Sequence, residues 1–283
     1  MAEVTCSVCG VLVEFHRTNC ERGHFIGFPN IRRAEEMRAD LIVNYNTAAA
    51  DAAARGVVAQ LSELETSLQK TVATLNVNPK ILRNMALSQN YMSYYKARDS
   101  GLRKIAERQY HAHRGAVDEK VHPGYRADIL NAALSPDGRG LINYGAVTLE
   151  LQDIAIRDRA SVMRENAFNF YERYNLGRKD AQEAPGWRST WSDRARLGVA
   201  HLEPAITTAI ARNDIAKLIL FSGPNRDDDR YMEVQIFGEL SWQSLSKVSL
   251  EKPLTDSNER DDWDFACHKL RNLSIRVADL TYP

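Results

Sequence analysis

Three of the four cysteines fall within the first twenty residues, as Cys6-x2-Cys9 followed by Cys20-x3-His24. Zinc takes four sulfur or nitrogen ligands at tetrahedral corners, and ligand pairs a few residues apart reach one ion from a tight turn. Gly10, directly after Cys9, supplies the backbone freedom of such a turn. Val11-Leu12-Val13-Glu14-Phe15 reads as a short strand, and Cys20-x3-His24 as a helix start or a second turn. The expected site is Cys6, Cys9, Cys20 and His24, with His16 the rival for the fourth corner. Four protein ligands leave no position for a reacting water, so this zinc is expected to be structural. Clustered thiols with a distant Cys267 argue against a disulfide framework. Buried thiols that only pack are the competing reading. A segment this short has little core of its own to hold them.

Three further stretches carry groups that can act on a substrate. In Tyr231-Met232-Glu233-Val234-Gln235-Ile236-Phe237, strand alternation sends Glu233 and Gln235 to one face and Met232, Val234 and Ile236 to the other. Such a pair is either a solvated face or a carboxylate aimed into a cleft. Arg157-Asp158-Arg159-Ala160-Ser161-Val162, followed by Glu165-Asn166, offers a guanidinium fork for a diphosphate and a hydroxyl for a ribose. It reads equally as a loop with a helix cap. Gly138-Arg139-Gly140-Leu141-Ile142-Asn143-Tyr144-Gly145 is a turn that ends in a ring suited to stacking.

The elements that must position these groups are less sharply written. The chain has 283 residues, 32.0 kDa, 44% apolar and 26% charged, which is ordinary for a globular protein. Its 37 basic and 37 acidic residues cancel, against coating of nucleic acid through bulk charge. No apolar run is long enough to span a membrane, and the start carries no basic patch with an apolar core. A cytoplasmic protein without membrane contact is expected.

Residues 30 to 76 read as helical, with Leu61, Leu64, Leu68, Val72 and Leu75 at three- and four-residue steps. This is a packing helix or a short coiled seam. Asn78-Pro79 ends the pattern and starts another helix. Residues 76 to 115 hold eight basic residues (Lys80, Arg83, Lys96, Arg98, Arg103, Lys104, Arg108 and Arg114) against two acids. Tyr91, Tyr94, Tyr95 and Tyr110 are interleaved with them. That is the composition of a single-strand nucleic-acid surface, or of a solvated face whose tyrosines pack inward. Residues 213 to 265 are biased the other way, with 12 acids and 6 basic residues.

From about residue 117 short strands and helices alternate. Strands are expected at 146–151, 216–221, 231–237 and 273–277, and helices at 162–176 and 194–211. Trp187 and Trp191 are expected in the core. His111, His113 and His122 lie in basic surroundings that disfavour a cation. No glycine-rich phosphate loop, Gly-x-Ser-x-Gly elbow or His-Glu-x-x-His is present. The expected fold class is α+β: a zinc knuckle over 1–29, a helical arm over 30–116 and a mixed α/β domain over 117–283.

Over that last segment the order of motifs resembles the ADP-ribosyltransferase fold. The motifs are a strand near Tyr144-Gly145, a later Arg159-Ala160-Ser161, and the acidic strand Glu233-Val234-Gln235-Ile236. It is similar in outline to bacterial ADP-ribosyltransferase toxins, including those that modify nucleic acids in toxin–antitoxin and phage-defence systems. The resemblance implies NAD as substrate. It makes Arg159 the contact to the NAD phosphates, Ser161 the support of the nicotinamide ribose and Glu233 the catalytic carboxylate. Tyr144 and Asn166 would complete the NAD site. The usual Ser-Thr-Ser triplet is Ala160-Ser161-Val162 here, and Tyr231 stands where many protein-modifying members have Glu or Gln. That argues against an arginine acceptor and leaves nucleic acid open; the knuckle and the basic, tyrosine-bearing segment favour RNA or single-stranded DNA as the target. A toxin of this kind implies a neutralising antitoxin protein. Two rivals stand beside this reading. One is a zinc-containing binding module for nucleic acid or protein, without catalysis. The other is a metal-assisted nuclease built on Asp227, Asp228 and Asp229.

Overall fold

A computed structural model describes residues 3–101, 108–178, 181 and 183–280, without the side chains of 108–112. The chain opens with a hairpin, β1 (Glu3–Thr5) and β2 (Leu12–Glu14). Three helices follow: α1 (Pro29–Glu36), α2 (Arg38–Arg55) and α3 (Val58–Gln69). Then come β3 (Val72–Val77), α4 (Pro79–Ser88), β4 (Asn90–Tyr91), α5 (Tyr94–Asp99) and α6 (Arg108–Val121). The middle of the chain contributes β5 (Ile129–Ser135), β6 (Val147–Leu151), α7 (Asp153–Ile156), β7 (Ala160–Met163), α8 (Ala167–Arg173) and β8 (Arg188–Thr190). The last third holds α9 (Arg194–Leu202), α10 (Arg212–Ile219), β9 (Leu220–Phe221), β10 (Arg230–Tyr231), β11 (Glu233–Phe237) and β12 (Leu240–Ser241). It closes with β13 (Leu245–Leu250), α11 (Ser257–Asn272) and β14 (Arg276–Asp279).

Eight strands form one sheet in the order β14-β13-β6-β3-β5-β11-β7-β8, antiparallel except for the β13–β14 pair. Register gives the sheet two unlike faces. One carries Val162, Val234, Ala132, Leu75, Leu149 and Val248, and packs against buried residues of α2, α3, α4, α9 and α11 in the main core. The other carries Glu233, Gln235, Ser161, Asn131, Thr74 and Thr148. This polar face is covered too. A second, smaller cluster of Val117, Val121, Met163, Ala167, Phe170, Leu176 and Trp187 lies there, brought by α6 and α8.

Several expectations are corrected. The expected helical arm contributes an inner strand, because β3 lies between β6 and β5. Val72 and Leu75 fit helical steps as well as a strand, and pairing with distant β5 and β6 decides the outcome. Segment 30–116 is thus not separate from the sheet that follows it. The expected strand at 216–221 is mostly α10, whose buried Ile215 and Ile219 stand one helical turn apart. The expected helix at 162–176 is strand to Met163 and helix only from Ala167, with Asn166 as its cap. The helix from Arg194 ends at Leu202 rather than Ala211. Met232 interrupts the strand expected over 231–237. Trp187 and Trp191 are buried, as expected. Among the described residues no helix is long and apolar enough to cross a membrane.

Candidate active site and metal cluster

The polar face converges on Glu233, the first residue of β11 and only 3% exposed. Its Oε2 accepts from the backbone N–H of Ala167 at 3.3 Å, and its Oε1 from Gln235 Nε2 at 3.0 Å. Ala167 is presented by the start of α8. Asn166 fixes that start, its Oδ1 accepting from the Phe168 N–H at 2.7 Å. Asn166 Nδ2 donates to the Tyr231 hydroxyl, and the Tyr144 ring meets Tyr231 edge-on at 6.4 Å between centroids. Arg226 lies over Tyr144 at 4.9 Å. Contacts thus run from half-buried Tyr144 through Tyr231 to Asn166, whose neighbour Ala167 meets the carboxylate through its main-chain N–H.

Burial pushes Glu233 up to about 7; the Gln235 and Ala167 donors pull it down, Asp118 raises it and Arg114 lowers it. Tyr231 is pushed well above its ordinary value by burial first, then by Glu233 and Tyr144. A carboxyl that titrates near neutrality, with one oxygen on a main-chain donor, can stabilise positive charge growing on a bound ligand or take up a proton.

Of the sequence-predicted residues, the structure gathers Glu233, Tyr144 and Asn166. Ser161 faces the same side, paired with Gln235, one strand from Glu233's own. Its hydroxyl is fully buried and lies 3.4 Å from Asn30 Nδ2. Arg159 is not brought to the group. It sits beside Phe237, four residues along β11 from Glu233, a separation of about 13 Å. Its Nε donates to the Ala155 carbonyl at 2.9 Å, and its Nη1 to the carbonyls of Phe237 and Glu239 at 2.7 and 2.9 Å. This guanidinium holds main chain together, with these bonds going to carbonyls of the protein itself.

Two residues at this face were not singled out from sequence. Asn30 donates to the carbonyls of Arg159 and Gln235, both at 3.0 Å. Gln235 was seen only as Glu233's neighbour in the alternation. No local signal marks Asn30, because its partners lie more than a hundred residues away.

The four expected metal ligands do converge. Cys6, Cys9, Cys20 and His24 have their ligand atoms within 4.8 Å of one another. Cys9 Sγ and Cys20 Sγ are 3.8 Å apart, and His24 Nδ1 is 3.5 Å from Cys20 Sγ and 3.8 Å from Cys6 Sγ. A tetrahedral ion at about 2.3 Å from sulfur and 2.05 Å from nitrogen sets these edges at about 3.8 and 3.6 Å. Two glycine-closed turns present the ligands. Gly10 N–H bonds to Cys6 O and Gly23 N–H to Cys20 O, both at 2.9 Å, with φ of 73° and 81° at the two glycines. The second pair therefore sits on a turn rather than a helix. Burial pushes the Cys6 thiol up, but N–H groups of Val8 and Cys9 and the side chains of Cys9 and His24 outweigh it and hold it at about 6. His16 points elsewhere, 3.5 Å from Glu14, and it is His24 that lies with the three cysteines.

The basic, tyrosine-bearing segment is largely internal in its contacts. Arg83 pairs with Asp262, Lys96 with Asp128 and Arg114 with Asp118, while Tyr94 and Tyr95 are buried. Arg103 and Lys104 lie outside the described residues, as do the side chains of Arg108, Tyr110 and His111. His113 pairs with Glu172, whereas His122 is buried at the far end of α6. The three acids of the nuclease alternative build a turn. Asp229 Oδ1 accepts from Gly223 N–H at 2.8 Å and Asn143 Nδ2 at 3.0 Å, and Asp228 accepts from Asn225.

No family model matches this chain, and no curated protein matches it in sequence. Among solved structures, it is similar to Thermus sp. 2.9 DarT in complex with NAD+, at 8% identity and a TM-score of 0.36, over 76% of this chain and 98% of that one.

Proposed function

We propose that this protein is an NAD-dependent mono-ADP-ribosyltransferase whose catalytic carboxylate is Glu233. The carrying observation is the setting of Glu233. It is a buried carboxyl on an interior strand, oriented by the Ala167 N–H and Gln235, next to a turn whose Asn166 bonds Tyr231, with Tyr144 against Tyr231. The substrate follows from the resemblance of the motifs around these residues to ADP-ribosyltransferases.

Breaking the bond between nicotinamide and ribose passes through an oxocarbenium-like state, as glycoside cleavage does. Nicotinamide leaves as a neutral molecule, and positive charge grows on the ribose. The ionised Glu233 stabilises that charge. Ala167 N–H and Gln235 keep the carboxylate in one orientation, so little reorganisation is needed as the bond breaks. Tyr144 offers a ring for a flat group of the substrate. Ser161 orients the ribose from the neighbouring strand.

RNA or single-stranded DNA is the proposed acceptor: Tyr231, two before Glu233, disfavours an arginine acceptor, and the knuckle with the basic, tyrosine-bearing segment 76–115 favours nucleic acid. A protein with this activity acts as a toxin, held in check by an antitoxin partner in a toxin–antitoxin or phage-defence setting. Cys6, Cys9, Cys20 and His24 hold a structural zinc, supported by ligand spacings that match a tetrahedral ion.

The rival is a zinc-containing binding module without catalysis. It is favoured by the near-complete cover over Glu233, both of whose oxygens accept bonds inside the protein. Incubation with labelled NAD and, separately, RNA, single-stranded DNA and lysate protein decides between them. Label transferred to one class by the wild type supports the transferase and names the acceptor. Steeply salt-dependent nucleic-acid binding without nicotinamide release selects the binding module.

A further inference from the structure

Asn30 is the second residue of α1, directly after the knuckle, and is fully buried. Its Nδ2 donates to the Arg159 carbonyl, just before β7, and to the Gln235 carbonyl on β11, both at 3.0 Å. It lies 3.4 Å from Ser161 Oγ. The orientation of this amide is forced, since exchanging its oxygen and nitrogen would press an oxygen against two carbonyl oxygens. Asn30 therefore ties the strand of Ser161 to the strand of Glu233. Gln235, held through its main chain by Asn30, is the residue whose side chain donates to Glu233 Oε1.

The same helical turn grips the knuckle. Arg32 donates to the carbonyls of Ile26 and Gly27 and to those of Phe15 and Arg17. Phe28, the residue before α1, packs on Phe25 of the knuckle at 5.1 Å and on Phe237 of β11 at 5.2 Å. Among the described residues the buried centre of the knuckle is Cys6, Val13 and Cys20, with Val4, Cys9, Val11 and Ile26 half-buried against them, too small to hold its shape without a metal.

We propose that Asn30 is a positioning residue through which the metal-bound knuckle sets the orientation of the Glu233 carboxylate. The order of dependence runs from the metal to the knuckle, to Arg32 and Phe28, to Asn30, to Gln235 and finally to Glu233. The knuckle is then part of the active-site scaffold rather than only a reader of the target. This rests on the reading of Glu233 as the catalytic carboxylate. Glu233 is also faced by Asp118 and Arg114 on α6 and by Tyr231 on β10, and none of these is touched by a change at Asn30.

The test is the carboxyl titration of Glu233, followed by carbon NMR on the metal-loaded full chain, together with NAD turnover. Asn30→Ala removes both donors, while Asn30→Ser keeps one hydroxyl donor and serves if the alanine variant fails to fold. The expected result for Asn30→Ala is a midpoint higher by about half a unit or more. Its kcat falls about tenfold with KM changed less than about twofold, as for a misplaced group. Asn30→Ser lies between it and the wild type. Cys20→Ser shifts the midpoint in the same direction and adds little in the Asn30→Ala background, because the two act along one path. A folded Asn30 variant with wild-type titration and kcat overturns the proposal, as does full additivity with Cys20→Ser. If the wild type turns over no NAD but Asn30 variants move the titration, the coupling stands and the transferase reading fails. If Glu233→Gln abolishes turnover and Asn30 variants change nothing, the reverse holds.

Discussion

Gln235 Nε2 donates to Glu233 Oε1 at 3.0 Å from two residues along the same strand. Alternation makes this pairing available, since residues two apart on a strand share a face. What turns it from a surface contact into a site is the cover. α6 and α8 close over that face, so the carboxyl is held away from water with one main-chain donor and one amide.

Burial sets a pH signature on stability. Glu233 is raised from 4.5 to about 7 in the fold. The folded protein then holds this proton more tightly than the unfolded chain does. Stability contributed at this site falls as pH rises from about 4.5 to about 7 and is level above that. Glu233→Gln removes the cost, so it should stabilise the protein by up to about 3 kcal/mol at pH 8 and by almost nothing at pH 4. Thermal unfolding of both proteins at the two pH values checks it. Equal effects at both would show that Glu233 titrates normally.

Asn166→Ala should cost about 1 kcal/mol of stability through loss of the α8 cap. It should also lower NAD turnover, because the Ala167 N–H that meets Glu233 belongs to the same turn. Chemical denaturation reads the first effect and steady-state kinetics the second. Loss of stability with turnover intact would separate the cap from the site.

Arg159→Met should behave as a structural lesion. It strips a charged donor from three carbonyls, a loss of about 3 kcal/mol. In the folded fraction the KM for NAD should stay within about threefold of wild type, as for a residue that does not touch substrate. A much larger rise in KM at unchanged stability would return Arg159 to the NAD phosphates.

Metal analysis of the purified chain should give one zinc per molecule. Stripping it with a chelator should loosen the backbone at the already exposed Arg17 and Arg22 and let trypsin cut there, since the buried centre of the knuckle is so small. The helices against the opposite face of the sheet should stay protected. A metal-free chain with the same cleavage pattern would make the four side chains a packing cluster.

Legibility from sequence followed the reach of the contacts. The side chains of Cys6, Cys9, Cys20 and His24 are close in sequence, and their spacing, with Gly10, is enough to expect that they come together. Glu233 and Gln235 on one face were also readable, because strand period is local. That this face is buried was not, for its covers on α6 and α8 come from elsewhere in the chain. Arg159 drew attention for its chemistry, yet its partners Phe237 and Glu239 lie about eighty residues on. β3 and α10 were misread because short apolar runs fit both periods, and only distant pairing separates them.

The central claim is tested by transfer of labelled ADP-ribose from NAD, wild type against Glu233→Gln, with RNA, single-stranded DNA and protein offered separately. Label is expected on a nucleic acid with the wild type, and a loss of about 10²–10³ in rate with the variant. The wild-type rate should also rise with pH through about 7, as Glu233 ionises. Full transfer by Glu233→Gln, or no nicotinamide release by the wild type under any condition, would contradict it.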